Sequence, residues 1–287
     1  MHDLDSPIAF FDSGVGGLPY LEAARRLLPA ERFVYLADRA GFPYGTKSPE
    51  RVRDLAVGAI RALVAKTAPK AVVIACNTAT ELAVDAIRAD TPGLIVVGTV
   101  PAIKPAAALS RVRRIGVVAT EAAVAADYLT GLASAWAADC ELVRIGDAGL
   151  VDFVERRLLG STRDERLRAV APSVRAMLER GVDVIVLGCT HFLHLSEEFG
   201  AVAGPGVSIV DSRDGVAARL ASRLDEEGLR GSVGARRTGG CPDRRDAESD
   251  RPGEPSDRLF LTGAGDPGPV YGGFAERFGL SWAGCLP

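Results

Sequence analysis

The chain has 287 residues, 47% of them hydrophobic and 25% charged, with a formal net charge of -3 at pH 7. That length and apolar fraction suffice for a substantial core in one large domain or two of medium size. The small negative charge supplies no basic field for a nucleic acid backbone or an anionic membrane, so a small-molecule ligand is expected, with neither nucleic acid nor membrane as partner.

The opening MHDLDSPIAFF lacks the positive n-region and long apolar stretch of a signal peptide. No run of about 18 apolar residues offers a membrane span, and a cytoplasmic protein is expected. The five cysteines, Cys76, Cys140, Cys189, Cys241 and Cys285, form no C-x-x-C pair, so neither a disulfide framework nor a metal site is expected.

In chain order, IAFF at 8–11 reads as a strand and is followed by a helix from Pro19 to Leu28. RFVYLAD at 32–38, a helix from Pro49 to Lys66, AVVIAC at 71–76, a further helix and LIVVG at 94–98 continue the alternation. The pattern then restarts: RIGVVAT at 114–120, a helix over 121–136, ELVRIG at 141–146, a helical region over 149–180, DVIVLGC at 183–189 and VSIVDS at 207–212. Strands alternating with helices in this way predict parallel sheets with crossover helices, an α/β fold.

The third strand of each series ends in a cysteine, Cys76 or Cys189. The interval from Asp12 to Cys76 resembles that from Thr120 to Cys189, and each cysteine stands at a similar distance from the middle of the next strand, at Ile95 and Ile209. The expectation is an old duplication: two similar parallel-sheet α/β units facing each other across a cleft. Residues 1–98 plus 213–287 are assigned to the first unit and 99–212 to the second. Ligands of parallel sheets bind beyond the carboxyl ends of the strands, where both cysteines lie.

After DSRDGVAARLASRLDEEG at 211–228, which reads as a helix, the stretch 231–257 is rich in Gly, Pro, Arg and Asp and reads as a mobile loop, with Cys241 a bystander inside it. RLFLTG then resumes strand character, and VYGGFAERFGL reads as a closing helix.

IAFFDSGVGG follows a strand and precedes a helix, the context of a phosphate loop, but it has neither the P-loop lysine nor the G-x-G-x-x-G spacing. Its glycines are expected instead to bring the backbone close to a small ligand. ACNTAT at 75–80 places a thiol at a strand end and a helix start, where N–H groups and the positive dipole end favour a carboxylate or a thiolate. GCTHF at 188–192 repeats the thiol with an imidazole two positions on. A buried structural cysteine is the plain alternative at either place, weakened by their matching positions.

FDSGVGGL at 11–18, FPYGTKS at 42–48, ACNTAT at 75–80, VPAIKPA at 100–106 and LGCTHF at 187–192 together resemble the signature blocks of the glutamate racemases, in the family's order. The resemblance implies a cofactor-independent racemase that interconverts L- and D-glutamate, supplies D-glutamate for peptidoglycan and forms a homodimer. Carried over by position, it makes Cys76 the residue acting on D-glutamate and Cys189 the one acting on L-glutamate. Asp12 would assist the first and His191 the second, while Glu155 in LVDFVERR matches a helping glutamate. Asp12, Ser13 and Asn77 would hold the ammonium and neighbouring groups, Thr78 and Thr190 the α-carboxylate, and Pro43, Tyr44 and Gly45 the side-chain carboxylate, with Thr120 and His191 also at the substrate. Inverting a stereocentre needs a base on one face of Cα and an acid on the other, a task suited to one thiolate and one thiol.

The chain departs from the family pattern in carrying Ala123 where a second threonine is common, ADRAGFPYG before the pocket segment, and Leu193 in place of a proline. These changes bear on the choice of glutamate over an analogue. The competing readings are a racemase of aspartate, a hydantoin or a malonate, and a catalytically silent binding protein. None of the four lysines, Lys47, Lys66, Lys70 and Lys104, has a setting that suggests a Schiff base.

Overall fold

The computed structural model describes residues 3–231 and 257–287. The chain begins with β1 (Ile8–Asp12), α1 (Leu18–Leu27), β2 (Phe33–Ala37), α2 (Pro49–Thr67), β3 (Ala71–Ile74), α3 (Asn77–Asp90) and β4 (Ile95–Gly98). Then come α4 (Ile103–Leu109), β5 (Arg114–Ala119), α5 (Glu121–Ala125), α6 (Asp127–Trp136), β6 (Glu141–Gly146), α7 (Ala148–Arg156), α8 (Arg163–Leu178), β7 (Val184–Leu187), α9 (Ser196–Ala203) and β8 (Ser208–Val210). The chain closes with α10 (Arg213–Glu226), β9 (Arg258–Thr262), α11 (Gly268–Arg277) and β10 (Ser281–Leu286).

Two wholly parallel sheets result, in the orders β10-β9-β2-β1-β3-β4 and β6-β5-β7-β8. Within each, the first four strands of a series stand in the same order: second, first, third, fourth. β1, β2 and β3 are buried at every position, as their continuous apolar runs require of strands covered by helices on both faces. One apolar cluster joins the sheets, containing Phe10 and Tyr35 from the first, Val118 and Leu187 from the second, and Phe274 of α11.

Three elements differ from the sequence reading. The expected helix over 121–136 breaks at Ala126, which is extended (φ -70°, ψ 142°), so α5 and α6 are separate. The region over 149–180 likewise divides, because Thr162 starts α8 with a capping box to Glu165. The chain ends on the strand β10, not on the helix VYGGFAERFGL, and Gly284 at φ 109° accompanies a bulge in that strand. The loop expected over 231–257, with Cys241, lies almost wholly outside the described residues.

Candidate active site

β1 delivers Asp12 to the end of the first sheet. Its Oδ1 accepts the Gly14 N–H at 2.7 Å, turning the chain sharply toward α1. A Cβ on Gly14 would collide with the Glu155 carboxylate, and one on Gly16 with the Thr190 hydroxyl and the His191 ring. At these two positions the missing Cβ makes room for side chains of α7 and of the turn after Cys189.

Cys76 follows β3 and caps the N-terminus of α3, with Sγ 3.9 Å from Ser13 Oγ. Burial above all, and then the charge of Asp12, push its thiol well above the ordinary value, although N–H groups of Ala79 and Ser13 act the other way. The helix start therefore does not make Cys76 acidic, because desolvation outweighs it.

Cys189 stands at the matching point after β7, but the turn it opens, Thr190–Leu195, is 3-10 rather than α-helical. Its Sγ lies 3.9 Å from His191 Nδ1, and His191 Nε2 lies 2.7 Å from Glu155 Oε1. The Val15 N–H donates to that same oxygen at 2.8 Å. Burial disfavours a charged His191, yet the bonds to Cys189 and Glu155 and their negative charge outweigh it and hold the imidazole well above its usual value. The two thiols thus sit in opposite electrostatic settings, one beside a carboxylate and one beside an imidazolium.

Side chains also tie the sheets together. Thr190 Oγ1 donates to Asp12 Oδ2 at 3.0 Å, and Asn77 Nδ2 donates to the Gly188 carbonyl at 2.7 Å. The second bond leaves Asn77 Oδ1 buried without a hydrogen-bond partner among the described residues. Burial raises Asp12 to about 6, against the lowering effect of His191, Gly14 and Thr190.

Between these groups lies a cavity of about 200 Å³. It is smaller than the pockets that hold nucleotide-sized ligands. Ser13, Pro43, Tyr44, Gly45, Cys76, Asn77, Thr78, Thr120, Cys189, Thr190 and His191 line it. Asp12 and Glu155 stand behind its wall, buried at 0% and 5% exposure. The Tyr44 hydroxyl donates to Asp38 Oδ2 at 2.6 Å, at the start of the 3-10 turn Tyr44–Thr46. The Thr120 hydroxyl caps α5 by accepting the Ala123 N–H at 3.3 Å.

Sequence reasoning missed Glu121 beside Thr120, and the pair Asp152 and Arg156, whose side chains meet at 2.6 Å on the cavity rim. A signal for that pair existed: Ala148, Val151, Asp152, Glu155 and Arg156 share one face of α7 at helical spacing. Among the described residues, no group of three or more His, Cys, Asp or Glu side chains is placed to hold a metal ion, and no helix is long and apolar enough to cross a membrane.

The profile of the Asp/Glu/hydantoin racemase family matches residues 20–220. The chain is 37% identical to the glutamate racemase of Treponema pallidum over 280 residues, 97% of this chain and 96% of that one. The chain belongs to the Asp/Glu/hydantoin racemase family. It is 44% identical to the glutamate racemase of Sphingopyxis alaskensis over 225 residues, 77% of this chain and 83% of that one. Escherichia coli glutamate racemase, solved in complex with L-glutamate and the activator UDP-MurNAc-ala, matches the fold with a TM-score of 0.81 at 31% identity over 98% of both chains. The chain is thus an amino-acid racemase by kinship. The family profile stops short of β9, α11 and β10, which the longer matches to the Treponema and Escherichia proteins take in.

Proposed function

We propose that this racemase interconverts L- and D-glutamate by a two-base mechanism without cofactor, with Cys76 and Cys189 on opposite faces of Cα. The observation that carries the reading is a single small cavity receiving one cysteine from each sheet, with unlike helpers. With L-glutamate bound, Cys189, beside His191, acts as the base that removes the Cα proton, and the Cys76 thiol delivers a proton to the other face. With D-glutamate the roles reverse. Burial and Asp12 keep Cys76 protonated, as the acid for the L-isomer must be, while Cys189 faces the His191–Glu155 pair.

The unpartnered Asn77 Oδ1 and the Ser13 hydroxyl accept from the substrate ammonium, while Thr78 and Thr190 flank the α-carboxylate. Backbone N–H groups of Tyr44 and Gly45, near Thr120, meet the side-chain carboxylate. Asp12 acts from behind the wall on Cys76, not by direct contact. The carbanionic transition state is stabilised by these fixed donors in a site shielded from water. In the cell, we assign the enzyme to the cytoplasm as a homodimer supplying D-glutamate for peptidoglycan, as the family resemblance implies.

Purified protein incubated with L-glutamate in D2O, without added pyridoxal phosphate, tests the reading by optical rotation and by deuterium at Cα. Loss of rotation with deuterium incorporation is expected. No exchange with glutamate, but exchange with aspartate, would move the assignment to a related substrate.

A further inference from the structure

We propose that His194 is a positioning residue for this site, holding the carbonyl of Val15 so that the N–H of the same residue fixes Glu155 on His191. The observation is a chain of contacts that reaches the site from the C-terminal helix. His194 Nε2 lies 3.0 Å from the Val15 carbonyl, and the Val15 N–H donates to Glu155 Oε1 at 2.8 Å. That oxygen is the one 2.7 Å from His191 Nε2. A carbonyl only accepts, so His194 must carry its proton on Nε2.

The ring is held from the other side by α11. Its centroid lies 5.4 Å from that of Phe274 and 5.7 Å from that of Phe278, both in edge-on arrangements. Burial first, and then the positive groups that face it, keep the ring neutral: His191, Arg277 of α11 and Arg213 of α10. A neutral ring has one N–H, and the Val15 carbonyl claims it.

Movement of Val15 reaches Glu155 directly. Gly14 and Gly16 on either side have no room for a Cβ against Glu155, Thr190 and His191. The loop is therefore packed on the pair it orients, with the Leu18 N–H as the other donor to the Val15 carbonyl, at 3.2 Å. His191 is faced by Cys189 from its own turn, Glu155 from α7, Asp12 from β1 and His194 itself. Of these, Glu155 is the one His194 controls through Val15.

The inference rests on the two-base reading in that it serves the Cys189 side of the site. The test compares His194→Phe, which keeps a ring but loses the donor, with His194→Gln, which returns one. In His194→Phe, kcat falls about tenfold with KM little changed, the alkaline limb of the pH profile moves to lower pH, and the His191 imidazole, followed by NMR, titrates about one pH unit lower. His194→Gln restores most of both. A His194→Phe protein with the parent's kcat and pH profile overturns the proposal, as does a Gln variant as impaired as the Phe variant. Should His194→Phe fail to fold, the parent protein decides: His194 stays a neutral Nε2–H tautomer from about pH 5 to about pH 9, and a Nδ1–H tautomer or titration in that window overturns the proposal. The His191 titration is read without turnover. If the parent racemises no glutamate but His194→Phe still lowers the His191 titration, the two-base reading fails and this inference stands.

Discussion

Oε1 of Glu155 lies 2.7 Å from Nε2 of His191 while the same oxygen takes the Val15 N–H at 2.8 Å. One atom of α7 thus joins the turn after Cys189 to the loop after β1, across the two sheets. Neither contact is local in the chain, and Glu155 itself stands behind the cavity wall.

Replacing this carboxylate tests its electrostatic part. Glu155→Gln keeps the shape and removes the charge that supports imidazolium at His191. We expect kcat to fall on the order of 10²-fold and the alkaline limb to move to lower pH. Stability gives a second reading. The folded value of His191 is raised above 6.5, so the stability it contributes is full below that pH and is lost as pH rises through the folded value. The deficit of Glu155→Gln should accordingly be largest in acid and shrink in alkali, which denaturant titrations at several pH values will show.

The two thiols carry the most direct consequence. Cys76→Ser and Cys189→Ser should each lose racemisation on the order of 10³-fold or more, with unchanged far-UV circular dichroism, because a serine hydroxyl is far too weak an acid to replace either thiol. Racemisation by either variant at the parent's rate would end the two-base scheme.

Asp12 makes a distinct pH prediction. Its folded value of about 6 stands above the ordinary 3.8, so its contribution is full below about 3.8 and is lost as pH rises through about 6. The parent should lose on the order of 3 kcal/mol of stability to this group across that window. Asp12→Asn carries no such titration, so its stability relative to the parent should grow with pH from about 4 to about 6 and then level off. A constant difference between the two proteins would show that Asp12 does not titrate there.

Gly14 separates packing from chemistry. Gly14→Ala drives a methyl group into the Glu155 carboxylate, which is the far end of a side chain held by Val15 and His191. A stability loss of about 1–3 kcal/mol is expected, together with a fall in kcat and the same alkaline-limb shift as Glu155→Gln. A variant destabilised to this extent but with parental kcat and pH profile would mean that the loop can yield without disturbing the pair.

Much of this is legible in the sequence, for physical reasons. A strand buried on both faces reads as an unbroken apolar run, so the positions at which β3 and β7 deliver Cys76 and Cys189 stand out in the sequence. β10 was missed because SWAGCL carries a glycine at positive φ and takes its strand character from pairing with β9. The withdrawal of Asp12 from the cavity was hidden for a related reason: its partner Thr190 is distant in the chain, and only the packing of one sheet's end on the other brings them together. The rim pair Asp152 and Arg156 could have been found by drawing the face of α7 that carries Glu155.

The shared strand order of the two sheets has a final consequence. Halves of one chain can be related by rotation, whereas the two forms of the substrate are related by reflection, and no rotation turns one into the other. A perfectly repeated pair of half-sites would therefore meet the two enantiomers with the wrong kind of symmetry. The differences between the halves supply what rotation cannot: a carboxylate and a hydroxyl near one sulfur, an imidazole with its own carboxylate near the other.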